Sequence, residues 1–238
     1  MYKDKIVLVT GASRGVGLEV VRHFLAHGAT VIGLSRSVSD LTDEHYHHYA
    51  VDLGDSESIA NVFRKEIGKQ FKNIDIVINN AAVLTSQYAM IMPAKNATDM
   101  VNVNFLGVFF VSREAAKLMR KNTYGRIINI GSMAASLEPM GDSIYAATKA
   151  AIITLANVMA REYASMNVTC NTIGITAIET DMLQSHTPVA KEKIKGIIAN
   201  LPIPRMAQAD DILNVIDFFA AERSSYITAQ TIYLGGIN

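Results

Sequence analysis

A single cysteine in 238 residues, no tryptophan and no surplus of either charge sign each close off a class of protein. Cys170 alone rules out an intrachain disulfide and a cysteine-based zinc site. With no histidine beside it in the sequence, it reads as a buried strand residue and not as a nucleophile. Lysine plus arginine and aspartate plus glutamate stand at 22 each, which leaves neither a nucleic-acid footprint nor a polybasic run for an anionic membrane. No apolar stretch reads as approaching the ~18 residues of a membrane span. Met1-Tyr2-Lys3-Asp4-Lys5 runs into the strand-like Ile6-Val7-Leu8-Val9 without a signal-peptide core. These absences predict a cytoplasmic protein with a small-molecule partner, no nucleic acid and no membrane. Proline is also scarce, and three of the five residues, Pro188, Pro202 and Pro204, fall within one stretch.

What is present is an alternation. Short β-branched runs at Lys5–Thr10, Thr30–Leu34, His47–Val51, Asp75–Asn79, Gly125–Ile130, Val168–Ile173 and Thr231–Leu234 are separated by helical patterns. The helices fall near Val16–His27, Ser56–Phe71, Ala97–Lys121, Ser143–Ser165 and Asp210–Ala221. That order predicts an α/β fold: one doubly wound, Rossmann-type domain over residues 1–238, with about seven parallel strands flanked by helices. The least regular stretch, Ala177–Met206, reads as a loop covering the substrate.

Thr10-Gly11-Ala12-Ser13-Arg14-Gly15-Val16-Gly17 follows the first strand and opens the first helix. Glycines at such a turn let the backbone approach a pyrophosphate, and the helix start supplies oriented N–H groups for its charge. The spacing is G-x-x-x-G-x-G, not the G-x-G-x-x-G of many dehydrogenases. The second strand ends Gly33-Leu34-Ser35-Arg36, where a carboxylate would bond the ribose 2′-hydroxyl of NAD. Arg36 with Ser13 and Arg14 forms instead a cationic, hydroxyl-bearing pocket suited to a 2′-phosphate, so NADP(H) is the predicted cofactor. Asp52-Leu53 and Asn79-Asn80-Ala81-Ala82 end the next two strands at the same edge, where Asp52 can accept from the adenine amino group and Asn80 can approach the ribose. The tract Glu44-His45-Tyr46-His47-His48-Tyr49 enters a strand whose alternation sends neighbours to opposite faces, so no metal site is expected.

Tyr145-Ala-Ala-Thr-Lys149 proposes a reaction. Positions four apart share a helix face, so phenol and ammonium converge, and a fixed cation lowers a phenol pKa from its usual ~10. Tyr145 then serves as a general acid. With Ser132 in Ile130-Gly131-Ser132 and Asn104 upstream, these residues resemble the short-chain dehydrogenase/reductase family in order and spacing, over essentially the whole chain. Within it the nearest likeness is to 3-oxoacyl-[acyl-carrier-protein] reductases, through Thr10–Gly17, Ile178-Glu179-Thr180-Asp181-Met182 and Tyr226-Ile227-Thr228-Ala229-Gln230-Thr231. The resemblance implies hydride transfer from NADPH to a carbonyl carbon, with Tyr145 protonating the oxygen and Ser132 bonding the oxyanion. Lys149 is implied to bind the nicotinamide ribose and tune Tyr145, and Asn104 to hold a water that relays protons. Gly11, Gly15, Val16, Gly17, Leu53, Ala81, Ile178 and Thr180 are implied cofactor contacts, and a homotetramer or homodimer the implied assembly. The alanines Ala146, Ala147, Ala150, Ala151, Ala156 and Ala160 suit close helix packing, either between chains or inside one.

The chain departs from its relatives in places that bear on substrate. Gly174-Ile175-Thr176 stands where the family has Pro-Gly, Ala82 replaces a glycine and Leu234 a polar residue. Basic residues that carrier-protein reductases present beside the site are here Thr123 and Met166, with Arg120, Lys121 and Arg126 nearby. A 3-oxoacyl thioester is therefore the first expected substrate, with docking of an acyl carrier protein in doubt. A sugar, polyol or nucleotide-linked sugar is the alternative, served by Asp142 and Asp181. A non-catalytic NADP-binding regulator is the alternative of another class.

Overall fold

The computed structural model of the chain describes residues 1–120, 124–178 and 188–236. Seven strands form one sheet: β1 (Ile6–Thr10), β2 (Thr30–Ser35), β3 (Tyr46–Ala50), β4 (Ile76–Asn79), β5 (Gly125–Ile130), β6 (Val168–Gly174) and β7 (Thr231–Tyr233). Every neighbouring pair is parallel, in the order β3-β2-β1-β4-β5-β6-β7. The order reverses between β1 and β4, and such a reversal opens a crevice at the carboxyl ends of the strands.

Valine and isoleucine fill the strands because both sheet faces are covered. Val7, Val9, Val31, Ile76, Ile78 and Ile128 pack with Val20, Val21 and Phe24 of the Gly15–Ala26 helix and Ile212, Ile216 and Phe219 of Ala209–Ala220. Leu8, Ile32, Leu34, Val77, Ile127 and Cys170 face the other way, onto Ile59, Val111, Ala115, Met119, Ala156 and Met159. Cys170 is fully buried, and burial pushes its thiol up to about 12.

Two helical stretches run through wide, π-type turns, at Phe63–Ile67 and at Asn102–Gly107, which the periodicity did not foretell. The Ala177–Met206 stretch is less irregular than its prolines suggest, because it contains the helix Pro188–Ala199. Ser143–Glu162 is, against the sequence expectation, long and apolar enough to cross a membrane by length and composition. It buries Thr148, Lys149, Ile152, Ala156 and Met159, and its Ala156, Met159 and Ala160 belong to the sheet's own core. Its alanines divide between the two offered explanations: Ala146, Ala156 and Ala160 are buried within the chain, whereas Ala147 and Ala150 are exposed.

Arg126, one of the basic residues expected near the site, lies elsewhere. Arg126 is 1% exposed at the start of β5, donating to the carbonyls of Gly125 and Glu222. Met166 precedes β6 at that same amino edge, opposite the end at which Ser132 follows β5, so neither adjoins the crevice mouth. Lys121 and Thr123 lie outside the described residues.

Candidate active site

A cleft of about 640 Å³ runs along the carboxyl edge of the sheet. Its volume falls in the range of small-molecule sites. At one end lie Gly11, Ser13, Arg14, Gly15, Val16, Ser35, Arg36, Asp52 and Leu53, and at the other Ser132, Asp142, Tyr145 and Lys149, with Asn80, Ala81 and Ile178 also in its walls.

The glycine-rich turn is held by contacts that only this edge provides. Gly11 sits at φ +67, and a Cβ there would lie 2.9 Å from Asn80 Nδ2 and 3.0 Å from Ala81 Cα, so a side chain is excluded by conformation and by space. Thr10 Oγ1 accepts from the main-chain N–H groups of Asn80 and Ala81, both at 3.0 Å, which pins the end of β4 to the end of β1. Asn80, in the cleft wall, braces this turn by donating from Nδ2 to the Thr10 carbonyl at 3.0 Å. Gly17 is likewise a packing residue, buried outside the cleft wall, where a Cβ would lie 2.1 Å from the Gly11 carbonyl oxygen. Asp52 accepts from Gly54 N at 2.9 Å. Thr180, an expected cofactor contact, and Asp181 lie outside the described residues.

The cradle suits an anionic dinucleotide. The Gly15–Ala26 helix begins without a side-chain cap or an acidic residue in its first turn, leaving its first N–H groups directed at the cleft end. The side chains of Arg14 and Arg36 are exposed there with no hydrogen bond or ion pair among the described residues. That end could hold the pyrophosphate and adenosine of a dinucleotide.

At the other end Lys149, 3% exposed, donates to the Ile130 carbonyl at 2.7 Å, and burial lowers its pKa to about 8. Its Nζ is 5.8 Å from the Tyr145 ring centroid. Burial raises the Tyr145 pKa above its ordinary value, a hydrogen bond with Ser132 pulls it down, and the Asp142 carboxylate pushes it up. The Ser132 contact is thus one that eases the phenol toward ionisation, while the Lys149 ammonium is turned to a main-chain carbonyl. Ser132 Oγ also accepts from Ala134 N at 3.1 Å, which fixes its rotamer.

Asn104 is fully buried in the wide turn and does not line the cleft. Its carboxamide accepts from Val83 N at 2.8 Å and donates to Val83 O at 2.9 Å and to Thr148 Oγ1 at 3.3 Å. The side chain so occupied holds the loop after β4. Thr148, which donates in turn to the Tyr145 carbonyl at 2.7 Å, was not foreseen, since nothing in a lone helical threonine marks it. The unusual Gly174-Ile175-Thr176 segment is firmly tied: Gly131 N donates to Ile173 O at 2.7 Å and Met133 N to Ile175 O at 2.8 Å, on either side of Ser132. Ser86 donates to Asp142, and Gln87 N donates to Gly141 O at 2.7 Å, so two loops close over the catalytic end. Among the described residues no three His, Cys, Asp or Glu groups gather as metal ligands, and His47 and His48 turn instead to Gln70 and Ser35.

A parallel sheet with a phosphate cradle at its switch point and a Ser-Tyr-Lys group beyond it defines a dinucleotide-dependent oxidoreductase. Residues 5–190 match the short chain dehydrogenase family model, and the chain belongs to that family, whose members act on alcohol and carbonyl groups with a nicotinamide cofactor. It is 34% identical over 241 residues to the 3-oxoacyl-[acyl-carrier-protein] reductase of Escherichia coli (strain K12), covering 99% of this chain and 97% of that one. The reductase of the same name from Vibrio harveyi is 34% identical over 240 residues, covering 98% and 97%. Among solved structures, the aldohexose dehydrogenase of Thermoplasma acidophilum superposes with a TM-score of 0.89 at 26% identity, covering 99% of this chain and 94% of that one. A structure titled a putative gluconate dehydrogenase, from Agrobacterium tumefaciens, gives 0.87 at 25%, covering 99% and 96%.

Proposed function

We propose that the protein is an NADPH-dependent carbonyl reductase whose first substrate class is 3-oxoacyl thioesters. The observation that carries the cofactor reading is Arg36: it follows directly on β2 at the position where a carboxylate would select NAD, and it lines the cleft with Arg14 and Ser13 without a partner among the described residues. The thioester reading draws support from the 34% identity to reductases of that name.

The nicotinamide cofactor, when bound, supplies the hydride that forms the new C–H bond. Tyr145 gives its phenolic proton to the carbonyl oxygen, and burial keeps that proton in place at neutral pH. Ser132 bonds the same oxygen as negative charge gathers on it. Lys149 stands behind both, a buried ammonium with protons to spare for the ribose hydroxyls and for recharging the phenol. Asn104 acts as a positioning residue through Val83.

A second substrate class rests on Asp142 and Ser86, which line the cleft beside Tyr145 and suit hydroxyl groups of a sugar or polyol. The exposed small-residue face of Ser143–Glu162 at Ala147, Ala150 and Thr154 suits contact with a second copy, and sedimentation at the monomer mass would remove the proposed tetramer or dimer. The test of function is steady-state kinetics with acetoacetyl-CoA and a panel of keto-sugars, each with NADPH and NADH. NADPH-dependent reduction of acetoacetyl-CoA supports the first reading, and turnover of keto-sugars alone supports the second. An NADH KM at or below that of NADPH contradicts the cofactor reading.

A further inference from the structure

The aromatic and histidine tract of β3 takes no part in the chemistry above, yet it touches the segment that carries Arg36. Tyr46 and His48 lie on the same face of β3, and in the parallel register Gly33 of β2 stands opposite His48 and Ala50 opposite Ser35. Gly33 has no side chain for a local reason: a Cβ there would lie 2.4 Å from the Tyr46 hydroxyl, so the tyrosine ring lies across β2 where any other residue would stand. His48, with its ring 6.3 Å from that of Tyr46, reaches past it to Ser35, Nε2 to Oγ 2.9 Å. Ser35 Oγ donates to the Ser37 carbonyl at 2.8 Å, so one hydroxyl links the His48 ring to the main chain just past Arg36. The hydroxyls of Ser39, further along the loop, and Tyr46 are both buried and face each other.

We propose that His48 is a positioning residue for cofactor selection. By holding Ser35 and Ser37, the residues on either side of Arg36, it fixes the guanidinium where a 2′-phosphate would sit. The loop from Arg36 to Asp40 would otherwise be an exposed connection leading to the edge strand β3, and the Arg36 side chain bonds to nothing among the described residues. The order that a bidentate contact to phosphate requires must therefore come from its neighbours. Ser35, Arg36, Ser37 and Val38 all line the cleft, so the clamp acts at the adenosine end and leaves the glycine-rich turn and Lys149 untouched. The inference rests on the NADPH reading given above.

The experiment measures Kd for NADPH and NADH by cofactor fluorescence, which needs no substrate, for wild type, His48→Ala, His48→Gln, Arg36→Ala and the double variant His48→Ala/Arg36→Ala. His48→Ala is expected to weaken NADPH binding by about 10-fold, the worth of one or two hydrogen bonds, and NADH binding by less than about 2-fold. Glutamine presents an N–H at a similar reach and restores most of the NADPH affinity. In the Arg36→Ala background, His48→Ala costs little more, because the residue it serves is gone. Equal weakening of both cofactors by His48→Ala, or an undiminished effect without Arg36, overturns the proposal while the NADPH reading stands. A wild-type protein that binds NADH as tightly as NADPH overturns that reading and this inference together.

Discussion

Lys149 donates to the Ile130 carbonyl at 2.7 Å from a site only 3% exposed, with its Nζ 5.8 Å from the centre of the Tyr145 ring. Its folded pKa of about 8 lies below the ordinary 10.5, and burial is the cause. Below pH 8 both folded and unfolded chains carry the proton, and the folded state bears the full cost of burying it. Between about 8 and 10.5 the folded chain has lost a proton that the unfolded chain keeps, so stability rises with pH. Replacing Lys149 with Met removes this dependence. Urea unfolding should show the variant's advantage over wild type shrinking by on the order of 3 kcal/mol from pH 7.5 to 10.5. A difference that stays constant across that window contradicts the assignment.

Asn104→Ala strips Val83 of partners for both its N–H and its carbonyl, at a fully buried position. Leaving such groups unpaired costs roughly 1–3 kcal/mol each, and part of that is regained if the loop shifts toward water. The expected result is a loss of about 2–4 kcal/mol in unfolding free energy, with faster proteolysis in the loop after β4. A change below about 0.5 kcal/mol would mean the carboxamide is not what holds that loop.

Gly174→Ala should fold poorly, since a Cβ would lie 2.1 Å from Cδ1 of Tyr233. The clash is with a single ring, so Tyr233→Ala should relieve much of it. A double variant more stable than Gly174→Ala alone, read by thermal unfolding, is the expected outcome. If the two substitutions simply add, the glycine serves the backbone and not the tyrosine.

How far the sequence carries can be judged from such particulars. All seven strands are legible within a residue or so, and in central ones runs such as Ile6-Val7-Leu8-Val9 and Ile76-Val77-Ile78 carry an unbroken apolar signal because both sheet faces are covered. Ser132, Tyr145 and Lys149 are legible as a group because two strands and a helix bring them to one edge. The helix Pro188–Ala199 is not, because proline in a first turn is compatible with a helix yet resembles a break when met among other prolines. The wide turn at Asn102–Gly107 leaves no trace in periodicity. The bonds of Asn80 to the Thr10 carbonyl and of Asn104 to Val83 are tertiary contacts that no sequence pattern announces. The same holds for Arg126, whose burial beneath Tyr124 no pattern of charge announces.

The central claim is that Tyr145 is the proton donor in a reduction driven by NADPH. Its most direct test is single-turnover reduction of acetoacetyl-CoA by wild type and Tyr145→Phe, with NADPH affinity measured on the same preparations. Phenylalanine keeps the ring and removes the proton. The account predicts near-unchanged cofactor binding and a loss of about 1,000-fold or more in the chemical step. Turnover within a few fold of wild type, with cofactor bound equally well, would contradict it.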